Sequence, residues 1–143
     1  MEILDKYIKE LENDTKIDQL NLKETQMILP GLKHKWVGRL INHKNEVNKL
    51  QHAYKQAKDS IVENMSKNQT VGMSKVTLER TADSNEIVQK ILQKIEEEQL
   101  IVLYLEKVEV VLRSMTYDVK NLIDIMKLEE TWWLNSYLIM TLK

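Results

Sequence analysis

The residues that most often perform catalysis are few in this chain and poorly placed for it. Its 143 residues include no cysteine and three histidines, so thiolate chemistry and Cys-ligated metal sites are excluded. His34, His43 and His52 are spaced by nine residues, about two and a half helical turns, and successive ones would face opposite sides of a helix. Phosphate-cradling and hydrolase motifs are also absent from the sequence. We therefore expect no enzyme activity, no metal and no cofactor.

Positive charge is the second chemical feature, and it is concentrated in one segment. Residues 33–58 carry seven Lys or Arg against a single acid, Glu46, a net charge of +6. A solvated helix face normally interleaves acids four residues away from its lysines, and this segment has only one. A row of unneutralised cations favours a phosphate-bearing partner. The candidate DNA-binding residues are Lys33, Lys35, Arg39, Lys44, Lys49, Lys55 and Lys58.

The apolar residues of the same segment predict the helix that positions these cations, at 30–65. They recur at alternating steps of four and three, which is the heptad seam of a long helix. Lys33, Lys44 and Lys55 are spaced by eleven residues, close to three turns, and form a nearly straight row beside the seam. Lys58 lies near that row, and the remaining cations lie on the opposite flank. The seam consists of Trp36, Leu40, His43, Val47, Leu50, Tyr54, Ala57 and Ile61.

Contacts to bases are not predicted from this pattern. Trp36 and Tyr54 carry rings that could stack on bases, but both lie on the seam and are predicted to belong to the core. No base-reading module is visible. Binding should therefore be mainly to the phosphate backbone, with weak sequence dependence and strong salt dependence.

The remaining segments predict an all-α fold with two long antiparallel helices. Residues 1–29 hold short amphipathic helices, and Pro30 begins the basic helix. The pattern breaks at 66–83, where a short hairpin and an ordered loop both fit. Asp83 or Ser84 then caps a second long helix at 84–130, followed by an apolar tail at 131–143. We expect one helical domain over 1–143.

The second long helix predicts a homo-oligomer. Residues 100–112 are apolar on nearly all sides, whereas one partner helix covers one face only. Self-association would bury the rest, and the alternative is that the N-terminal helices fold over it. The tail is predicted to pack on a neighbouring subunit, with an interfacial membrane anchor as the rival. The oligomerisation residues are Leu100, Ile101, Leu103, Tyr104, Val108, Val111, Leu112 and Met115.

Targeting signals are not visible at the N-terminus. Met1 to Glu12 alternates charged and apolar residues, unlike a hydrophobic signal region. No stretch of about 18 apolar residues occurs, so a spanning helix is not predicted. We expect a cytoplasmic protein without a membrane partner.

The order of these segments resembles the UvsY family of phage recombination mediators. The stretch LPGLKHKWVGRLINHKNEVNKLQHAYKQAK, from Leu29 to Lys58, is similar to the family's basic helix. Residues 3–18 correspond to its short first helix and acidic turn. The segment from Asp83 through VLRSMTYDVKNLIDIMKLEE is similar to its second long helix, so the resemblance covers about residues 2–130. The family's basic pair and tyrosines are missing at 59–65, and the tail after Glu130 is longer and more apolar.

The resemblance implies a non-catalytic recombination mediator. Such proteins form rings of about six or seven subunits, bind single-stranded DNA, and load the phage recombinase by displacing the phage single-strand-binding protein. The resemblance also implies action in the cytoplasm of the infected bacterial host. The rival interpretation is a structural coiled-coil or adaptor protein whose lysines form a solvated face. A helical-bundle metalloenzyme is a further alternative, and the missing Glu-x-x-His pairs speak against it.

Overall fold

The computed structural model describes residues 1–68 and 72–142, and nearly all of them are helical. No strand occurs within these ranges, which confirms the all-α class. Across these ranges, none of the helices combines the length and the apolar composition that a membrane span requires. The elements are α1 (Glu2–Asp14), a 3₁₀ turn (Gln19–Asn21), α2 (Leu22–Asn68), α3 (Lys75–Asp83) and α4 (Glu86–Thr141).

Pro30 lies inside α2, so the predicted helix start at residue 30 is corrected to Leu22. A proline in a helix interior removes one backbone hydrogen bond and costs about 3 kcal/mol. Leu22 and Leu29 are only 4% and 3% exposed, and each such burial contributes about 1.5–3 kcal/mol. Packing of the residues around Pro30 therefore offsets the local cost, and the helix continues through it.

Helix α3 occupies the second half of the segment predicted as a hairpin or loop, which corrects that prediction over 75–83. The Ser74 side chain caps its first turn by accepting a backbone N–H at 3.3 Å. Leu78 and Ala82, one turn apart, are the buried residues of α3. Val76, by contrast, lies on the exposed side of α3 and is 58% exposed. Residues 69–71 of the predicted segment lie outside the described ranges.

Helix α4 is a single element of 56 residues that continues through the predicted tail to Thr141. Asn85 caps its first turn by accepting the N–H of Ile87 at 2.9 Å. The predicted caps are engaged elsewhere: Asp83 accepts hydrogen bonds from α2, and the Ser84 hydroxyl donates to a carbonyl of α3. The start of α4 is thus set by the residue that remains free to cap it.

The chain divides into two compact units. The first comprises Met1–Val37 and Glu106–Lys143. In it α1 packs on α2, with the Tyr7 and Trp36 rings edge-to-face and their centroids 5.7 Å apart. Its buried apolar residues are Leu22, Leu29, Trp36, Val108, Leu112, Met115 and Val119.

The second unit is Gly38–Leu105. His43 of α2 contacts Glu98 of α4, and Tyr54 of α2 contacts Asp83 at the end of α3. From Tyr54 back to His43 along α2, the contacted residue moves forward in the chain from Asp83 to Glu98. Helices α2 and α4 are therefore antiparallel in this unit, as predicted. The buried apolar residues of this unit are Leu40, Leu78, Ala82, Val88, Ile95, Ile101 and Leu105.

Candidate nucleic-acid interface

The predicted seam of α2 is the buried side of the helix. Every one of its residues is buried or half-buried, so the cations beside it are held at the surface of the chain. This arrangement follows from the helical period of 3.6, which separates an apolar stripe from polar flanks. Among the predicted DNA-binding residues, Lys44, Lys49 and Lys55 are exposed, and Lys33, Lys35, Arg39 and Lys58 are half-buried.

Lys35 is engaged within the first unit. Its Nζ donates to Glu10 at 3.0 Å and to Asp14 at 2.6 Å, and it lies 5.2 Å from the Trp36 ring centroid. Burial lowers the pKa of Lys35, but the hydrogen bonds to Asp14 and Glu10 outweigh burial, and the pKa is raised. Asp14 also accepts the Trp36 indole N–H at 2.9 Å. Lys35 therefore fastens α1 to α2, and its charge is neutralised by two carboxylates.

Lys58 is engaged within the second unit. Its Nζ lies 3.2 Å from an Asp83 oxygen, and the Tyr54 hydroxyl donates to the other Asp83 oxygen at 2.6 Å. The hydrogen bond from Tyr54, helped by Lys58, lowers the pKa of Asp83 against the opposing effect of burial. The hydrogen bond that Lys58 donates to the Tyr54 hydroxyl at 3.3 Å, together with its bond to Asp83, raises the pKa of Lys58. The cluster fastens α2 to the end of α3, so Lys58 too has a structural partner.

The Asp83 cluster makes stability depend on pH in a defined direction. Because folding lowers the pKa of Asp83 from 3.8, its contribution is present above that value and is lost as the pH falls through the lowered pKa. The Asp83 side chain is 38% exposed, so we expect about 1 kcal/mol or less. Asp83→Asn should lose this increment at neutral pH and match the wild type in acid, measured by urea unfolding across pH.

The control for this prediction is Asp118→Asn. Asp118 is an exposed acid of α4 with no ion pair among residues 1–68 and 72–142. Its removal should leave the pH dependence of unfolding unchanged. Equal pH profiles for the two variants would show that the Asp83 contacts do not contribute to stability.

His43, the one polar residue of the predicted seam, has a partner in α4. Its Nδ1 lies 2.6 Å from a Glu98 oxygen, and the two side chains are only 14% and 18% exposed. A polar group in a largely apolar seam needs such a partner, since burying it unpaired would cost several kcal/mol. Within the described ranges no group of three or more His, Asp or Glu residues could hold a metal ion.

Three predicted cations have no carboxylate within 4 Å in the described part of the chain: Lys33 in the first unit, and Lys49 and Lys55 in the second. They are the positions where a phosphate would displace no ion pair. Trp36 is 2% exposed and Tyr54 is half-buried, so both rings belong to the interior. The sequence did not point to Glu10, Asp14 and Glu98, and it assigned Asp83 to a helix cap, because each of these acids acts through a partner that is distant in the chain.

The residues predicted for oligomerisation separate into two sets on α4. The chain's own core contains one set, whose members are at most 4% exposed: Ile101, Val108, Leu112 and Met115. The other set is open to solvent, with Leu100, Leu103 and Val111 between 43% and 52% exposed, while Tyr104 is half-buried. The described chain thus covers one stripe of α4 and leaves a second apolar stripe outside.

A family model described as "Recombination, repair and ssDNA binding protein UvsY" matches residues 10–131. The chain belongs to the UvsY family. This confirms the resemblance carried by the basic helix and the second long helix. The match ends at residue 131, so the last turns of α4 lie beyond it. No curated protein sequence gave a significant match.

Crystal structures of the bacteriophage T4 recombination mediator protein UvsY share this fold. The lattice type IV form has a TM-score of 0.76 at 17% identity and covers 88% of this chain and 98% of its own. Lattice type II gives 0.73 at 16%, with 88% and 96% covered. Lattice type I gives 0.72 at 16%, with 85% and 96% covered. At such identities the likeness shows that the UvsY fold is conserved in this chain, and the side-chain roles must come from its own contacts.

Proposed function

We propose that this protein is a recombination mediator that binds single-stranded DNA and assists the loading of a phage recombinase. The family match over residues 10–131 carries the proposal, because the family's description includes recombination, repair and binding of single-stranded DNA. The surplus of cations on α2 supplies a physical means of binding. Such binding neutralises phosphates and releases counterions, and it needs no catalytic residue.

The cations of α2 divide into two roles in this proposal. Lys33, Lys49 and Lys55 contact phosphates, with Arg39 and Lys44 beside them on the same helix. Lys35 and Lys58 hold the fold, because each is bound to carboxylates of the same chain. Replacing either would remove packing as well as charge.

Self-association belongs to the same proposal. The exposed stripe formed by Leu100, Leu103 and Val111 is apolar, and its burial between copies would contribute about 25 cal/mol per Å². Assembly joins the cations of several subunits on one strand, and tethered sites bind at high effective concentration. A homo-oligomer on single-stranded DNA could then displace the phage single-strand-binding protein and recruit the recombinase, which are the partners we propose.

The double variant Lys49→Ala/Lys55→Ala tests the DNA-binding part. Each lost phosphate contact should reduce the slope of log affinity against log salt by about 0.7 for a single strand, so the expected loss is about 1.4 per subunit. We expect affinity to fall at low salt and the difference from the wild type to shrink as salt rises. Fluorescence anisotropy with two unrelated single-stranded oligonucleotides measures both quantities.

Lys120→Ala/Lys127→Ala is the matched control, since it removes the same total charge from two exposed lysines of α4 that lie away from the stripe of Leu100, Leu103 and Val111. Its salt slope should remain close to that of the wild type. If the α2 and α4 variants behave alike, net charge alone determines the binding. If the wild type binds neither oligonucleotide at low salt, the rival interpretation as a structural coiled-coil protein is favoured.

A further inference from the structure

A small groove in the second unit lies beside the cations of α2. It has a volume of about 280 Å³ and lies between α2 and α4. Ligand sites for drug-sized molecules occupy about 300–1,000 Å³, so this groove fits one smaller group. It is lined by Lys44, Val47, Asn48, Gln51, Gln99 and Val102.

The groove has an apolar floor and amide walls. Val47 and Val102 are half-buried, one on each helix, and their short side chains leave the depression. Asn48, Gln51 and Gln99 are exposed around it, and none of these amides has a hydrogen-bond partner in the described part of the chain. An amide offers both a donor and an acceptor, which is the pairing capacity of a base edge.

The α2 side of the groove follows from sequence spacing. Lys44, Val47, Asn48 and Gln51 stand at positions i, i+3, i+4 and i+7, so they form one stripe of the helix. The His43–Glu98 contact lies one residue away from Lys44 on α2 and from Gln99 on α4. This contact holds the two walls in register, and the groove therefore exists before any ligand binds.

We propose that this groove receives a nucleobase of the bound single strand. The amides hydrogen-bond the base edge, the valines contact its face, and Lys44 lies at the rim, near the phosphate of the same nucleotide. Thymine O4 and N3–H, for example, match the donor and the acceptor of one amide, and other bases offer similar pairs. An amide side chain can rotate to match either order of donor and acceptor on a base edge. The groove therefore distinguishes a strand that carries bases from one that lacks them, and it does not select a particular base sequence.

The proposal rests on the proposed single-strand binding, and the test separates the two. Full-length protein is titrated with oligothymidylate and with an abasic strand of equal length and charge. We expect about a three- to tenfold preference for the strand with bases, the size of one or two net hydrogen bonds. Asn48→Ala/Gln51→Ala should abolish that preference and leave the salt slope unchanged, because no charge is altered.

Asn45→Ala/Gln56→Ala is the matched control, an exposed amide pair on α2 outside the groove. It should keep the wild-type preference for bases. Equal binding of both strands by the wild type, or a retained preference in the groove variant, overturns the groove assignment and leaves backbone binding in place. Failure of the wild type to bind either strand overturns the proposed function and the groove together. Circular dichroism melting shows whether each variant keeps its helices.

Discussion

Replacing Trp36 by alanine is expected to lower the free energy of unfolding by about 3–5 kcal/mol, the usual cost of removing a large buried ring. Trp36 is 2% exposed and packs edge-to-face on Tyr7 of α1. Its indole N–H also donates to Asp14, which in turn holds Lys35. The substitution therefore opens a cavity and loosens the attachment of α1 to α2. Urea unfolding followed by circular dichroism measures the loss.

Two further variants determine which part of Trp36 matters. Trp36→Phe keeps a ring but lacks the N–H donor, and we expect it to cost about 1 kcal/mol beyond its small change in packing. Val37→Ala, one position along and 38% exposed, should stay within about 0.5 kcal/mol of the wild type. Trp36→Phe should also bind single-stranded DNA like the wild type. A large loss of affinity at unchanged stability would assign the ring to base stacking and refute its role as core.

Leu112→Ala is expected to have the second largest effect, a loss of about 2–5 kcal/mol in the free energy of unfolding. Leu112 is 2% exposed and belongs to a buried series on α4 that recurs every three or four residues from Ile101 to Val119. Removing its methyl groups leaves a cavity that the packed neighbours fill only in part. Thermal and urea unfolding of the purified variant give the magnitude.

Val111→Ala is the matched control for Leu112 and tests the assembly surface as well. The two residues are adjacent, but Val111 is 43% exposed, so its truncation should change the unfolding of the chain by about 0.5 kcal/mol or less. Its expected effect is on self-association, with a lower average mass in light scattering at limiting concentration. If Leu112→Ala dissociates the assembly without loss of stability, or Val111→Ala unfolds the chain, the division of α4 into a core stripe and an outer stripe is wrong.

The helical content of the chain and the buried side of α2 could be predicted from the sequence, because both depend on residues within a few helical turns of one another. The heptad spacing from Trp36 to Ile61 predicts both the α2 helix and its buried side. The scarcity of helix breakers predicts an all-helical fold. The helix boundaries were predicted less accurately. Local preferences favour a helix start at Pro30 and a loop or hairpin at 75–83. Tertiary burial of Leu29 and Leu78 overrides these preferences, so both places are helical.

Sequence spacing alone determined that one helix carries a surplus of cations beside an apolar seam, because the helical period places residues on faces without regard to the rest of the chain. Tertiary structure decided which of those cations are engaged. The carboxylates that hold Lys35 are 21 and 25 residues away, and the one that holds Lys58 is 25 residues away. It also decided that Ile101 and Leu112 belong to the core while Leu103 stays outside. The type of an apolar or charged side chain does not determine which residue it contacts. That contact depends on which distant segments of the chain pack against it.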